Sequence, residues 1–131
     1  LLRNDLSPKP AFMAIKTLIA AVRASPGPGA AGRLSSKLRV LGDGEVERLD
    51  LERPDGSRVI ALWRSVSVWD VNARTPLDPG QLAVELTFAG RQARDLTVWR
   101  PSVSTTPVQS LERVSNLPLE LGGDLVLVSV R

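Results

Sequence analysis

A chain of 131 residues suffices for one domain with a real core and is too short for two full-sized ones. Its 17 Lys and Arg against 14 Asp and Glu leave a net charge of +3, and the basic residues, mostly arginines, are scattered singly from Arg3 to Arg131; this reads as a solvated basic surface, with no nucleic-acid stripe. The absence of Cys and His removes disulfides, thiolate chemistry and the commonest general base and metal ligand, so catalysis would have to rest on carboxylates, and neither a metal nor a cofactor is expected.

The first element is a helix. In "LSPKPAFMAIKTLIAAV", Leu6 to Val22, Pro10 suits a first helical turn because its missing N–H would be unpaired there anyway, and Ser7 or Asp5 stands within capping reach. Phe12, Ile15, Leu18, Ile19 and Val22 fall at helical spacing on one face with Lys16 and Arg23 at its rim, a face that expects a partner. The apolar run from Ala11 to Val22 is interrupted by Lys16 and Thr17 and is shorter than the roughly 20 residues that cross a bilayer, so no membrane is expected as partner. The next stretch, "ASPGPGAAG" from Ala24 to Gly32, has no large side chain and several residues that break regular structure; it reads as a linker.

Beyond it the periodicity changes to alternation. Leu82, Val84, Leu86 and Phe88 point one way and Glu85 and Thr87 the other, the pattern of a half-buried strand. Turn signals separate "VERLDL" from "VIALW" at "RPDGSR", "SVSVWDV" from "LAVELTF" at "TPLDPGQ", and "LPLEL" from "LVLVSV" at "LGGD", while "AGRQ" precedes "DLTVW". Proline fixes φ and glycine supplies positive φ in such turns, so hairpins are expected at Asp55-Gly56, Ala89-Gly90 and Gly122-Gly123. The fold class is therefore mainly β, an antiparallel β-sandwich of about seven or eight strands preceded by one N-terminal α-helix.

Candidates for chemistry are few. Asp50 and Glu52 share one face of a presumed strand, with Asp43, Glu45 and Glu47 before them, but a retaining glycosidase pair needs carboxyl groups about 5–5.5 Å apart with one pKa raised, and nothing in their setting implies burial. They read as a solvent-facing strand edge. The serines and threonines of "SVSTTPVQS" lack a histidine base, and Lys9, Lys16 and Lys37 all lie outside the presumed strands. "GPGAAG" lacks the strand before it and the helix after it that a phosphate loop requires. Among the tryptophans, Trp63 in "VIALW" reads as core, whereas Trp69 and Trp99, flanked by polar residues, are the candidate carbohydrate contacts.

The opening "LLRNDLSPKPAFMAIKTLIAAV" resembles the closing segment of the (β/α)8-barrel retaining glycoside hydrolases, the clan of cellulases, β-xylosidases and α-iduronidases. There, a strand ending like "LL", a short loop and a phrase of the type "(S/T)PKPAY" lead into the last barrel helix; here Phe12 stands where Tyr is frequent. Several families of that clan carry a small β-sandwich after the barrel, with strands similar to "DGSRVIALW" and "DLTVWRP" and a final "LPLELGGDLVLVSV". The resemblance implies that residues 1–23 are a remnant of barrel strand and helix 8, residues 24–37 a linker and residues 38–131 a C-terminal sandwich. It also places both catalytic glutamates upstream, at the ends of barrel strands four and seven, so no residue of this chain inherits a catalytic role. The expected function is a non-catalytic accessory domain of a glycoside hydrolase, with the parent's own barrel as partner. The alternatives are a carbohydrate-binding sandwich that takes up polysaccharide or oligosaccharide through Trp69 and Trp99, and a generic interaction domain. A secreted or cell-surface setting is favoured over a cytoplasmic one.

Overall fold

A computed structural model describes residues 10–23, 35–53, 56–89 and 93–131. The elements in chain order are α1 (Pro10–Arg23), β1 (Ser35–Val40), β2 (Glu47–Glu52), β3 (Arg58–Trp63), β4 (Trp69–Asp70), β5 (Thr75–Pro76), β6 (Leu82–Ala89), β7 (Ala93–Trp99), β8 (Gln109–Val114), β9 (Asn116–Leu121) and β10 (Val126–Val130). All strand pairs among the described residues are antiparallel. They form a three-stranded sheet of order β1-β6-β9, a five-stranded sheet of order β2-β3-β10-β7-β8, and a small β4-β5 ribbon. The protein is thus mainly β, with one N-terminal helix ahead of a sandwich-like pair of sheets.

Alternation builds the core. On β6, Leu82, Val84, Leu86 and Phe88 are all buried, as expected, and Leu86 stands between Leu38 of β1 and Leu117 of β9. From the other sheet, Ile60, Val128 and Val98 lie side by side across β3, β10 and β7 and meet them in the same apolar cluster. A strand side chain repeats every second residue, so a slip by one residue would turn the whole β6 set to solvent and fixes this register firmly.

The outer face of the five-stranded sheet is also apolar. Val59, Ala61 and Leu127 form a second cluster there with Ala21 of α1, and Leu18, Leu51, Trp63, Trp99 and Leu125 pack against it. Strand β10 is consequently apolar on both sides. Helix α1 lies on this face through Thr17 and Ala21, whose small side chains are buried, while Ile15 and Ile19 remain 45% exposed. Part of the helical face expected as one stripe is therefore turned outward, because the smaller neighbouring residues allow the closer approach to the sheet.

Arg53 fastens the helix. Its Nε donates to the Val22 carbonyl at 2.8 Å and its Nη2 to the Ala21 carbonyl, while Nη1 donates to Ser57 Oγ at 3.3 Å and Ser129 Oγ at 3.2 Å. The last carbonyls of a helix have no intrahelical donor and carry partial negative charge, so a guanidinium is the natural cap for them.

The turns depart further from the expected pattern than the strands. The reversal at Asp55-Gly56 does join the paired strands β2 and β3, with Gly56 at φ +79°, although Asp55 itself lies outside the described residues. Ala89-Gly90 and Gly122-Gly123 do not make hairpins. They connect β6 to β7 and β9 to β10, which belong to different sheets, and Gly90 lies outside the described residues. Turn chemistry signals that the chain reverses, but a reversal within a sheet and one between sheets use the same residues. The chain also changes sheet between β8 and β9 through Ser115 alone, close after Arg113 at φ +55°. The expected strand "SVSVWDV" contracts to Trp69–Asp70, and β1 starts at Ser35, inside the stretch read as linker, so Lys37 is a strand residue after all.

Two measurements check this packing. Leu86→Ala should cost about 2–5 kcal/mol in chemical denaturation, and a cost below about 0.5 would place Leu86 outside the core. Arg53→Met should cost roughly 1–3 kcal/mol and raise amide exchange across α1 far more than across β6; equal protection of α1 in both proteins would show that the clamp does not hold the helix.

Candidate functional site

The carboxylates take ordinary surface positions. Asp50 and Glu52 are exposed on β2, an edge strand of the five-stranded sheet. Asp50 accepts from Arg48 Nε at 2.7 Å and from Nη2 at 2.8 Å, and the same guanidinium donates to Ser36 Oγ at 2.7 Å and the Ser36 carbonyl at 3.2 Å. Asp50 is therefore engaged with the Arg48 guanidinium, which ties β2 to β1 of the other sheet. Glu52 lies 3.6 Å from Arg58. Asp43, Glu45 and Glu47 are exposed, and no group of acidic residues suited to hold a metal occurs among the described residues. The lysine alternative gains nothing from the structure: Lys16 and Lys37 are exposed, and Lys9 lies outside the described residues.

The tryptophans separate into two settings. Trp63, read as core, is partly buried against the second apolar cluster, on the outer face where the Val59, Ala61 and Trp63 side of β3 meets the helix. The apolar character of "VIALW" on both sides is correct, but the second side is covered by α1 and the sheet's own outer residues. Trp99 belongs to the same cluster, paired across the strands with Leu127. Trp69 stands apart on β4, paired with Pro76 of β5, and is 49% exposed. The two candidate carbohydrate contacts thus sit on different elements, one wedged into a packed face and the other open.

The surroundings of Trp69 form the most developed surface feature. The strand directions bring four connections to one end of the sandwich: residues 41–46, 64–81, 100–108 and 122–125. These connections are bonded to one another and to the strand ends. Arg64 Nη1 donates to the carbonyls of Pro79 at 3.3 Å, Gly80 at 3.0 Å and Leu121 at 3.3 Å, while its buried Nε has no hydrogen-bond partner among the described residues. Arg100 Nη1 donates to both carboxylate oxygens of Asp124 at 2.9 Å, and its Nη2 donates to the Glu120 carbonyl. Val68 packs so closely over Gly123 that a Cβ there would overlap Val68 Cγ1.

Within the β4-β5 turn, Asp70 Oδ1 accepts the N–H groups of Asn72 at 2.8 Å and Ala73 at 2.9 Å, and Leu77 N donates to the Val68 carbonyl at 3.0 Å. On this bonded platform Val68, Trp69, Val71, Leu77 and Val103 are exposed. The composition of the chain hides the arginine pins entirely. Arg48, Arg53, Arg64 and Arg100, read from sequence as scattered solvated charges, are internal cross-links, and only their positions next to strand ends and turns hint at it.

Comparison with known protein families, with curated proteins and with solved structures found no significant match to this chain.

The two tryptophan settings and the exposed carboxylate differ measurably. Trp99→Ala should cost roughly 2–4 kcal/mol and Trp69→Ala less than about 1 in thermal or chemical unfolding; the reverse order would invalidate the two settings. Asp50→Asn should cost less than about 1 kcal/mol, as for a partly exposed ion pair.

Proposed function

We propose that this chain is a non-catalytic β-sandwich accessory domain of a (β/α)8-barrel glycoside hydrolase. The observation that carries the reading is the double-sided helix. One side of α1 seats Thr17, Leu18 and Ala21 on the sandwich, and another holds Ile15 and Ile19 outward at 45% exposure each. A helix with apolar residues on two sides suits a position between two bodies. In the barrel enzymes that "SPKPAF" resembles, the helix at this point of the chain belongs to the barrel and the sandwich follows it. Support for the parent's barrel, and not chemistry, is then the work of this segment, because its carboxylates are exposed or spent on neighbouring arginines.

A purified sample of the chain should release no aryl alcohol from activated aryl glycosides of several sugars, measured against a protein-free control. Turnover that follows the protein through purification and is lost when Asp50 or Glu52 becomes an amide would overturn the non-catalytic reading. The coding sequence upstream of Leu1 should encode an Asn-Glu-Pro-type segment at a strand end and a second strand-end Glu; their absence would remove the barrel.

A further inference from the structure

Independently of any glycosidase, the loop end of the sandwich has the chemistry of a protein-docking surface. Most of the exposed large apolar side chains among the described residues gather on its connections, with Leu41, Val68, Trp69, Val71, Leu77 and Val103 each at least 43% exposed and Val71 at 75%. Exposed apolar residues scattered singly need no explanation, but a concentration of them on one end marks an interaction surface. These residues are also held in place. Arg64 and Arg100 bind the connections to the end of β9, Asp70 closes the β4-β5 turn, Asp78 Oδ1 accepts Gly80 N–H at 2.9 Å, and Leu41 N–H donates to the Ala83 carbonyl at 2.9 Å. A surface ordered before binding loses little freedom when it binds.

Charge identifies the occupant. The four connections contain five acidic residues, Asp43, Glu45, Asp70, Asp78 and Asp124, against three arginines, in a protein whose net charge is +3. Arg64 is directed at carbonyls and Arg100 at a carbonyl and Asp124, so Asp43, Glu45, Asp70 and Asp78, against Arg74, dominate what a partner meets. A sugar would need convergent free hydrogen-bonding groups, whereas here Asp70 and Asp78 each spend an oxygen on their own turn and Arg64 and Arg100 are bonded to the fold itself. Aliphatic anchors on connections that also carry these acidic side chains suit a polypeptide instead. We propose that the loop end binds a protein segment whose aliphatic or aromatic residues are flanked by Lys or Arg, with Trp69 and Val71 as the anchors that it covers.

The test pans a random 12-residue peptide display library against the immobilised full chain and titrates synthetic copies of the enriched peptides into wild type, Trp69→Ala and Val71→Asp, with an oligosaccharide array probed in parallel. Enriched peptides should share apolar residues flanked by Lys or Arg and bind about tenfold or more weakly to each variant, as for a central anchor, and binding should weaken as salt rises. Both positions are exposed, so circular dichroism and melting of the variants should match wild type; the second variant covers the case in which one of them fails to fold. Absence of enrichment, peptides without basic flanks, or affinities unchanged in both variants would overturn the proposal. Glycan binding lost in Trp69→Ala would also overturn it, by assigning the surface to sugars.

Discussion

Strand β10 is the element on which the rest of this structure depends. It is last in chain order yet central in the five-stranded sheet, hydrogen-bonded to β3 on one side and β7 on the other. Its side chains serve two cores. Val126, Val128 and Val130 face the three-stranded sheet, whereas Leu127 enters the cluster beneath α1 and Ser129 receives a hydrogen bond from the arginine that caps the helix. Neither core can be completed before residues 126–130 are in place. The fold is therefore built from contacts distant in sequence, the kind that pay loop-closure entropy before packing rewards it.

Arginine cross-links then secure what β10 organises. Arg53 joins the end of α1 to the β2-β3 turn and to β10, Arg48 joins the edge strands of the two sheets, and Arg64 and Arg100 join the connections at the loop end to β9. A guanidinium presents several donors in a fixed fork, so one side chain can satisfy carbonyls from two or three segments together; a lysine ammonium offers no such planar geometry. This is a reason for the chain to use arginine so heavily although it carries little surplus charge.

The helix-covered face and the loop end differ in consequence. On the face, a helix seated by small residues and capped by Arg53 turns isoleucines outward. At the loop end, bonded connections hold exposed aliphatic side chains and Trp69. Apolar side chains are thus exposed both on the helix that covers the sheet and on the connections at the loop end, while the acidic side chains Asp50, Glu52, Asp70 and Asp78 are dispersed over an edge strand and turns.

Much of this was legible in the residues alone. The buried set Leu82, Val84, Leu86 and Phe88 followed from alternation, because the period of a strand is a local property and one buried face imposes it. The helix followed from Pro10 and the spacing of its apolar residues, and the exposed state of Asp50 and Glu52 from their setting in a charged strand. Which strands pair, however, is decided between segments far apart in the chain: nothing local distinguishes the true reversal at Asp55-Gly56 from the sheet-to-sheet crossing at Gly122-Gly123. The same holds for Trp63, whose apolar neighbours told of burial on both sides without telling that a helix supplies one of them, and for Arg53 and Arg100, whose carbonyl partners lie more than a dozen residues away. Local sequence determined which residues seek the interior; only the tertiary structure decided which interior they found, because a side chain's hydrophobicity is its own while its neighbours are set by the path of the whole chain.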